Sequence, residues 1–291
     1  MSHAVTPPTV LDHLARAQGR LVQAGLRAAD AALDAEVLVR HALGWDRAAY
    51  LARRTERAPH GFAERLAGFV DRRTRREPVA YIIGHREFWG LDFLVSPAVL
   101  IPRPDTELIV QAAVLLRHRG FAPTRLLDVG TGSGCLAVSL AREFPHAHVV
   151  ATDISPAALA VARRNGDRLD VGARLSLVEA DLLDGLDDVA DLIVSNPPYV
   201  PSVSAPGLQP EVREHEPAVA LFGGPAGLDL LGRLFAAAPR VLAPGGWLIV
   251  EFGLGQEDDT RALAVAAGWA VAEVHADLQG IPRVAVMRRE P

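Results

Sequence analysis

The sequence predicts an α/β protein in which a small N-terminal helical bundle and a linking β-hairpin precede a mostly parallel sheet with a C-terminal antiparallel hairpin. Three observations predict this fold class. From Thr9 to about Arg76, apolar residues recur at helical spacing. From Pro78 to Pro102, the residues are rich in β-formers. From Arg125 onward, apolar runs of strand length alternate with helical segments, as in a parallel sheet with helices on both faces.

The composition is typical of a globular protein with one large and one small domain. Of the 291 residues, 49% are hydrophobic and 22% are charged. The formal net charge is -5, but residues 1–90 hold 14 Arg against 10 acidic residues, so the rest of the chain is clearly acidic. Proteins that bind nucleic acid usually have a basic face. The charge balance therefore argues against stable binding of nucleic acid.

The sequence gives no reason to expect a metal site or a membrane segment. Cys135 is the only cysteine, which excludes a cysteine-rich metal site, and we expect it to act as a small apolar residue at a helix start. The ten histidines are not spaced with acidic residues as metal ligands are. Met1–Thr9 does not resemble a signal peptide, and no window has the roughly 18–20 apolar residues of a membrane span. We therefore expect a cytoplasmic protein with no metal and no membrane partner.

Residues 1–77 are predicted to form a domain of four or five short helices. Leu11, Leu14 and Leu21 illustrate the helical recurrence of apolar residues. Glycines stand where three of the helices should end, at Gly25, Gly44 and Gly61.

At Pro78 the helical periodicity ends, and residues 78–104 are rich in β-forming residues instead. Val79–Gly84 and Glu87–Val95 have the composition of two short strands. Joined through Gly84 or Gly90, they would form a β-hairpin that links the two domains.

The main domain, residues 105–291, should begin with a helix capped by Asp105. Five strands and four helices are then expected to alternate. The strands are Arg125–Val129, His148–Asp153, Leu175–Glu179, Asp191–Ser195 and Trp247–Phe252, and the helices are Gly134–Glu143, Pro156–Asn165, Gly227–Arg240 and Gln256–Ala267. Ala270–Val274 and Val284–Arg288 follow as an antiparallel hairpin at the sheet edge.

A glycine-rich turn follows the first strand of the sheet. Its residues are Gly130, Thr131, Gly132, Ser133 and Gly134, and a helix starts there. Glycines let the backbone take positive φ and approach a ligand closely. A dinucleotide site would place its third glycine one residue later. The shorter spacing favours a cofactor without a pyrophosphate, such as S-adenosylmethionine.

Acidic residues follow the neighbouring strands. Asp153 ends the second strand, where its carboxylate could accept both ribose hydroxyls, and Asp181 follows the third, where it could meet the adenine edge. A glycine-rich turn alone can also be a tight strand–helix connection, but Asp153 in register favours the cofactor site. Asp128 is expected either to hold the turn or to approach the amino group of the methionine moiety.

The fourth strand ends in Asn196-Pro197-Pro198-Tyr199, which we call the proline corner. Two prolines cannot continue a β-ladder and they restrict φ. The corner should therefore be rigid and lie at the carboxyl edge of the sheet, where open α/β folds bind ligands. Pro-Pro can also mark an ordinary loop, but its place beside the glycine-rich turn favours a catalytic role.

The proline corner suits methyl transfer to a planar NH2 group. An amide nitrogen is a poor nucleophile because its lone pair is delocalised. The Asn196 side-chain oxygen and the Pro197 carbonyl can accept its two hydrogens, which would aim the lone pair and stabilise positive charge on nitrogen. Tyr199 could stack on the amide. Asn196, Pro197 and Tyr199 are therefore the candidate catalytic residues, and they would act largely by positioning.

These motifs resemble the HemK/PrmC family of protein-glutamine N5-methyltransferases over nearly the whole chain. The resemblance also rests on Glu77–Gly84, Glu87–Leu91, Leu100–Glu107, Glu211–Pro217, Gly223-Gly224, Gly227–Asp229, Pro244–Gly246 and Glu251–Gly253. Leu100–Glu107 resembles the family signature Ile-Pro-Arg-Pro-Glu-Thr-Glu, with Asp105 in place of the usual Glu.

The resemblance implies a Rossmann-like class I methyltransferase fold with S-adenosyl-L-methionine as cofactor and S-adenosyl-L-homocysteine as product. It implies cofactor contacts from Gly130, Thr131, Gly132, Ser133, Gly134, Asp153, Asp181, Leu182 and Asn196, and glutamine contacts from Asn196, Pro197, Pro198 and Tyr199. Family members often have an aromatic residue where Leu182 stands, and Leu182 could still pack on adenine. The implied substrate is the glutamine of the Gly-Gly-Gln motif in class 1 peptide chain release factors.

Three other functions share parts of this pattern. A sister group methylates a glutamine of a ribosomal protein, but Arg103–Glu107 favours the release-factor group. An adenine-N6 nucleic-acid methyltransferase would use the same Asn-Pro-Pro-Tyr chemistry on a flipped base, but it needs a basic groove and aromatic residues, and only 5% of this chain is aromatic. A cofactor-binding module without catalysis conflicts with an intact proline corner.

The resemblance implies that the helical domain binds the release factor. Arg72, Arg73, Arg75 and Arg76 form a basic cluster near its end. A solvated helix face is the simpler interpretation of the cluster, and contact with an acidic partner is the alternative. His215 is the one histidine expected near the substrate mouth. We expect the protein to be a monomer.

Overall fold

The computed structural model describes residues 8–187 and 189–289. They form two compact units. The helical unit contains residues 8–84 and 210–215, and the sheet unit contains the other described residues. No helix in the described part of the chain is both long and apolar enough to cross a membrane.

The helical unit has five consecutive helices, and the first four lie between Thr9 and Arg76, where the helical periodicity predicted four or five. They are α1 (Val10–Gln23), α2 (Ala28–Leu43), α3 (Arg47–Arg53), α4 (Phe62–Thr74) and α5 (Val79–Ile83). α1 begins at a capping box, in which the side chains of Thr9 and Asp12 each accept a hydrogen bond from the other's backbone N–H. Leu38, Tyr50 and Phe62 are fully buried at the centre of the bundle, so this unit has its own hydrophobic core.

Helix α5 corrects one prediction, because Val79–Gly84 is not a strand. A short apolar run can be a strand or a buried helix, and periodicity alone does not separate them. Pro78 precedes the first turn, where a missing N–H costs nothing, and Gly84 ends the helix at a φ of 82°. Ile82 is buried in the core of the bundle, so packing decides in favour of the helix.

The sheet unit opens with a hairpin, β1 (His85–Phe88) and β2 (Leu91–Leu94), and contains nearly all the remaining elements. In chain order the elements are α6 (Glu107–His118), β3 (Arg125–Val129), α7 (Cys135–Glu143), β4 (His148–Asp153), α8 (Pro156–Arg168), β5 (Leu175–Glu179), β6 (Ala190–Ser195), α9 (Pro210–His215, in the helical unit), α10 (Asp229–Val241), β7 (Leu242–Glu251), α11 (Glu257–Ala266), β8 (Ala270–Ala276) and β9 (Pro282–Arg288). A 3-10 turn, Pro104–Thr106, precedes α6, which starts without a side-chain cap. Asp105 is therefore not the N-cap that was predicted.

Seven strands form one sheet in the order β5-β4-β3-β6-β7-β9-β8. Neighbours from β5 to β7 are parallel, whereas β9 pairs antiparallel with both β7 and β8. This confirms the predicted sheet with its antiparallel C-terminal hairpin. The strand order reverses between β3 and β6, and open α/β sheets bind ligands at such a switch point.

Both faces of the sheet are buried. Leu126 and Leu192 pack on one face against α6 and α7, whereas their neighbours Leu127 and Ile193 pack on the other face with residues of α10 and α11. Burial on both faces explains why the strands are continuous apolar runs in the sequence.

The β1–β2 hairpin packs on the sheet unit. Phe93 is buried in the hydrophobic core on the face of the sheet that packs against α6 and α7. The Asn165 side chain of α8 accepts from the Leu94 N–H at 2.8 Å and donates to the carbonyls of Leu94 at 2.9 Å and Ser133 at 2.8 Å. A single buried amide thus ties the hairpin to the glycine-rich turn.

Candidate active site

The glycine-rich turn and the proline corner lie side by side at the carboxyl edge of the sheet. β3 leads into the turn and β6 leads into the corner, and Val129 of β3 stands opposite Ser195 of β6. The Ser195 hydroxyl donates to the Val129 carbonyl at 2.8 Å. The two motifs therefore meet at the switch point.

A cleft at this edge brings most of the predicted site residues together. It contains about 1150 Å³ of empty space, including its open mouth, which is enough for a small organic ligand. The predicted residues on its wall are Gly130, Thr131, Gly132, Ser133, Asp153, Asp181, Leu182, Asn196 and Pro198. The wall as described does not include Gly134, Pro197 or Tyr199.

The glycine-rich turn leaves open space in front of its backbone. Gly130 and Gly132 have φ of 73° and 54°, and a Cβ on either would meet no atom within 4 Å. The N–H groups of Gly130 and Thr131 donate to the Thr152 carbonyl at 2.9 and 2.8 Å. The turn is therefore fixed by β4 while its outer side stays open, which fits close approach of a cofactor.

Gly134 has a packing role at the start of α7. It is the N-cap of that helix with a φ of 79°, and a Cβ there would lie 3.1 Å from the Ala162 Cβ of α8. The absence of a side chain thus lets α7 and α8 approach each other below the turn.

Asp153 holds the turn and keeps acceptor positions for a ligand. One carboxylate oxygen accepts from the Gly132 N–H at 2.9 Å, and the other accepts from the Ser155 N–H at 2.9 Å. A carboxylate has about four acceptor positions. Positions therefore remain for the two ribose hydroxyls that the sequence assigned to this residue.

Asp128 supports the turn from the protein interior. Its Oδ2 accepts from the Thr131 hydroxyl at 2.7 Å and the Ala137 N–H at 3.1 Å. Its buried Oδ1 has no hydrogen-bond partner among the described residues. Burial raises the pKa of Asp128 to about 7, although both hydrogen bonds oppose the rise. These contacts favour the first of the two roles considered for Asp128, that of holding the turn.

Asp181 forms an ion pair that the sequence did not predict. Its carboxylate lies 2.9 Å from the Arg233 guanidinium, and both side chains are about half exposed at the cleft wall. Leu182 has a φ of 54°, and its carbonyl accepts from the Thr152 hydroxyl at 3.0 Å. Arg233 therefore holds the Asp181 side chain, and Thr152 holds the backbone of Leu182.

Glycines let other segments pack tightly against the backbone of the proline corner. A Cβ on Gly223 would clash with the Pro198 carbonyl oxygen, and a Cβ on Gly227 would clash with that of Tyr199. Gln256 donates to the Tyr199 carbonyl at 3.0 Å. In contrast, no described residue donates to the carbonyl of Pro197. The corner is thus rigid, with one backbone acceptor left free.

A hydrogen-bond chain connects the two ends of the corner. The Asn196 amide donates through Nδ2 to the Thr106 hydroxyl at 2.9 Å, and Thr106 donates to Glu251 Oε2 at 2.7 Å. The Tyr199 hydroxyl donates to Glu251 Oε1 at 3.0 Å. Thr106 and Glu251 are only 2% and 1% exposed. The chain holds Asn196 Nδ2, and Oδ1 has no partner in the part of the protein that the structure describes.

The electrostatics of this chain are set by burial. Burial raises the pKa of Glu251 to about 7, while the hydroxyls of Thr106 and Tyr199 oppose the rise. Burial and the Glu251 carboxyl raise the pKa of Tyr199, so its hydroxyl keeps its proton near neutral pH. Sequence reasoning missed Thr106 and Glu251 as site residues. The available signal was their place in two of the segments that resemble the family.

Cys135 and His215 can be placed as well. Burial raises the pKa of the Cys135 thiol to about 12, which keeps it neutral at the start of α7, as expected of a small apolar residue. His215 belongs to the helical unit, where its Nε2 lies 3.2 Å from the Arg75 carbonyl oxygen. The expectation that His215 lies near the substrate mouth stays a prediction.

Most of the arginine cluster is engaged inside the helical unit. Arg73, with a side chain only 7% exposed, pairs with Asp34 at 2.7 Å and Glu211 at 2.8 Å. Arg76 pairs with Glu211 at 2.9 Å, and Arg72 pairs within its own unit as well. Arg73 is therefore neither part of a solvated helix face nor free to contact a partner.

No cluster of three or more potential metal ligands occurs among residues 8–187 and 189–289.

Comparison with known proteins covers nearly the whole chain. The PrmC N-terminal domain model matches residues 12–84, and the methyltransferase small domain model matches residues 106–205. The release factor glutamine methyltransferase of Geobacter sulfurreducens is 46% identical over 269 residues, which are 92% of each chain. That of Bradyrhizobium diazoefficiens is 44% identical over 278 residues, 94% of each chain.

A solved structure supports the fold. The hMettl16 catalytic domain, in complex with MAT2A 3′UTR hairpin 6, matches with a TM-score of 0.56 over 76% of this chain and 84% of that chain. At 18% identity this likeness shows the fold alone, and it confirms the class I methyltransferase fold. The bacterial relatives share far more of the sequence, over almost its full length. The chain belongs to the release factor glutamine methyltransferase family.

Proposed function

We propose that this protein transfers a methyl group from S-adenosyl-L-methionine to the N5 amide nitrogen of the glutamine in the Gly-Gly-Gln motif of class 1 peptide chain release factors. One observation carries the proposal. The proline corner, whose Asn196 lines the cleft, has two acceptors, Asn196 Oδ1 and the Pro197 carbonyl, to which no described residue donates a hydrogen bond. Two such acceptors match the two hydrogens of a primary amide. Membership of the family supports the same chemistry.

The residues of the cleft fit the cofactor. When bound, S-adenosyl-L-methionine supplies an electrophilic methyl group on its sulfonium. The open backbone of Gly130–Ser133 would face it closely, and the remaining acceptor positions of Asp153 would take the ribose hydroxyls. The Asp181-Leu182 pair would hold the adenine, and Gly134 would support the turn through its packing.

The proline corner would hold the glutamine. Asn196 Oδ1 and the Pro197 carbonyl would accept the two amide hydrogens, which directs the nitrogen lone pair towards the methyl group. The ring of Tyr199 would stack on the flat amide, and Pro198 would line the pocket beside it. Both oxygens favour the positive charge that develops on nitrogen. Positioning supplies most of the effect, and no strong base is needed because the nitrogen becomes acidic once methylated.

The helical and catalytic domains would have different roles. The helical domain, residues 1–77, would recognise the release factor, and the hairpin within residues 78–104 would link it to the catalytic domain, residues 105–291. The helical unit has its own hydrophobic core, which supports a separate domain for this role. The protein would act as a monomer without stable binding to nucleic acid.

Mass spectrometry of a release factor tests this function. The release factor is incubated with the protein and isotopically labelled cofactor, and a variant with Gln→Ala in the Gly-Gly-Gln motif serves as control. We expect one labelled methyl group, located on that glutamine and absent from the control. Labelling of a ribosomal protein or of adenine in a nucleic acid, with an unlabelled release factor, would overturn the proposal.

A further inference from the structure

We propose that Glu251 and Thr106 are positioning residues that decide which atom of Asn196 faces the substrate. This inference rests on the proposed function, because it concerns the acceptor that would hold the glutamine amide. The two residues form the buried chain Glu251–Thr106–Asn196, with links of 2.7 and 2.9 Å. Neither residue was predicted as part of the site.

The hydrogen-bond donors and acceptors of the chain determine the orientation of the Asn196 side-chain amide. A carboxylate only accepts hydrogen bonds, so an ionised Glu251 takes the single proton of the Thr106 hydroxyl. Thr106 can then act towards Asn196 only as an acceptor. Asn196 must present its NH2 group to Thr106, and its Oδ1 is left for the substrate. An ionised Glu251 thus selects the productive orientation.

A protonated Glu251 removes this selection. A carboxyl proton on Oε2 can be donated to Thr106, and the Thr106 proton is then free to point at Asn196. Asn196 can now turn its amide over and accept that proton through Oδ1. Its NH2 group would face the NH2 group of the glutamine, and two donors do not bind each other. Protonation therefore permits an orientation that opposes substrate binding.

The surroundings of Glu251 place this change near neutral pH. Burial is the largest cause of its raised pKa, which is about 7. Asp105 adds to the rise, whereas the charge of Arg283 and the Tyr199 hydroxyl lower the pKa. Cys135, a further titratable group that interacts with Glu251, has its pKa raised to about 12 and stays neutral. The pKa of Asp128 is also about 7, but its hydrogen bonds go to Thr131 and Ala137, so Glu251 is the group within the chain itself that changes charge in that range.

Nuclear magnetic resonance gives a test that needs no turnover. The chain contains only two asparagines, Asn165 and Asn196, so ¹⁵N-asparagine labelling yields two side-chain amide signals. We expect the Asn196 signals to shift with an inflection at about pH 7, and Glu251→Gln to abolish that inflection. Asn165 is bonded to fixed backbone carbonyls and serves as the internal reference. An Asn196 signal that keeps the inflection in Glu251→Gln would contradict the proposal.

Kinetics give the second test, with Thr106→Val and Thr106→Ser as a matched pair. Wild-type kcat/KM should rise with pH through the inflection and then level off, because kcat/KM reports the ionisation of the free enzyme. Thr106→Val should lower kcat by about 10- to 100-fold and lose this rise, because one positioned dipole is no longer held. Thr106→Ser keeps the hydroxyl and should restore both features.

The outcomes separate this inference from the function on which it rests. If wild-type protein methylates the glutamine and Thr106→Val keeps the wild-type kcat and pH profile, the positioning role is wrong and the function stands. If wild-type protein methylates no glutamine, the proposed function itself fails. The affinity for S-adenosyl-L-homocysteine, measured by calorimetry, shows that each variant is folded.

Discussion

Asn196 is proposed to act through one oxygen atom, because its nitrogen is already held by Thr106. We expect Asn196→Ala to reduce kcat by about 10²- to 10³-fold, the usual cost of removing one positioned group that stabilises developing charge. Cofactor affinity should remain close to that of the wild type. Single-turnover methylation of a release factor and calorimetry with S-adenosyl-L-homocysteine measure the two quantities.

Asp153 should show the opposite behaviour. Its carboxylate fixes Gly132 and Ser155 and would accept hydrogen bonds from the ribose. We expect Asp153→Ala to weaken cofactor binding by about 10- to 100-fold, since a hydrogen bond to a charged group contributes about 1.5–3 kcal/mol. At saturating cofactor, kcat should change little. If Asp153→Ala abolished turnover with normal affinity while Asn196→Ala lost affinity, the assigned roles would have to be exchanged.

Single residues show where sequence reasoning ends. The glycine-rich turn, Asp153 and Asn196 could be found because each sits at a strand end, and the cleft gathers them. Thr106 and Glu251 could not be found this way, because they are 145 residues apart. Their contact exists only once α6 and β7 are packed in the fold, and no local pattern encodes it.

At the scale of elements, the proline corner depends on the loop that packs against it. Gly227 has a φ of 77°, and a Cβ there would clash with the Tyr199 carbonyl. Gly255 has a similar φ of 78° but open space around it, so it is a matched control for backbone strain. We expect Gly227→Ala to lower both the free energy of unfolding and kcat, whereas Gly255→Ala lowers only the first, by about 1–3 kcal/mol.

Urea unfolding and methylation assays on the two variants measure these effects. Equal activity of Gly227→Ala and Gly255→Ala would show that close packing at Gly227 does not hold the corner in place.

Element prediction succeeded where periodicity was long and failed where it was short. Most of the alternating strands and helices after β3 were predicted with nearly correct bounds, because they are apolar runs between clear turn residues, but β7 begins at Leu242 and not at Trp247, since Pro244–Gly246 lies within the strand. Val79–Ile83 was misread because five apolar residues fit either structure, and its packing in the bundle selects the helix. Asp105 was expected to cap α6, but a 3-10 turn precedes the helix.

At the scale of the whole molecule, the stability of the helical unit should depend on Arg73. Its buried guanidinium pairs with both Asp34 and Glu211, and burial raises the pKa of Asp34. We expect Arg73→Ala to lower the free energy of unfolding by about 3–5 kcal/mol, because breaking a buried pair leaves uncompensated charge. Arg27 pairs with Asp30 while 82% exposed, so Arg27→Ala should have almost no effect.

Urea unfolding followed by circular dichroism measures both changes. Equal losses of stability in the two variants would mean that burial of the Arg73 ion pairs does not increase their contribution to the free energy of unfolding.

Most of the overall architecture could be predicted from the order of strands and helices along the sequence. Strand–helix alternation fixes a parallel sheet, and the final pair of strands had to be an antiparallel hairpin because too few residues separate them for a crossover. The assignment of Pro210–His215 to the helical unit could not be anticipated. Within that unit, Glu211 pairs with Arg73 and Arg76, which lie about 135 residues away in the sequence.

The most direct test of the account is the structure of this protein with S-adenosyl-L-homocysteine and a release factor, or a peptide that carries its Gly-Gly-Gln loop. We expect the glutamine nitrogen to lie about 3 Å from both Asn196 Oδ1 and the Pro197 carbonyl oxygen, with its free side turned to the sulfur atom. A glutamine bound elsewhere, or an Asn196 that faces it with Nδ2, would contradict the account.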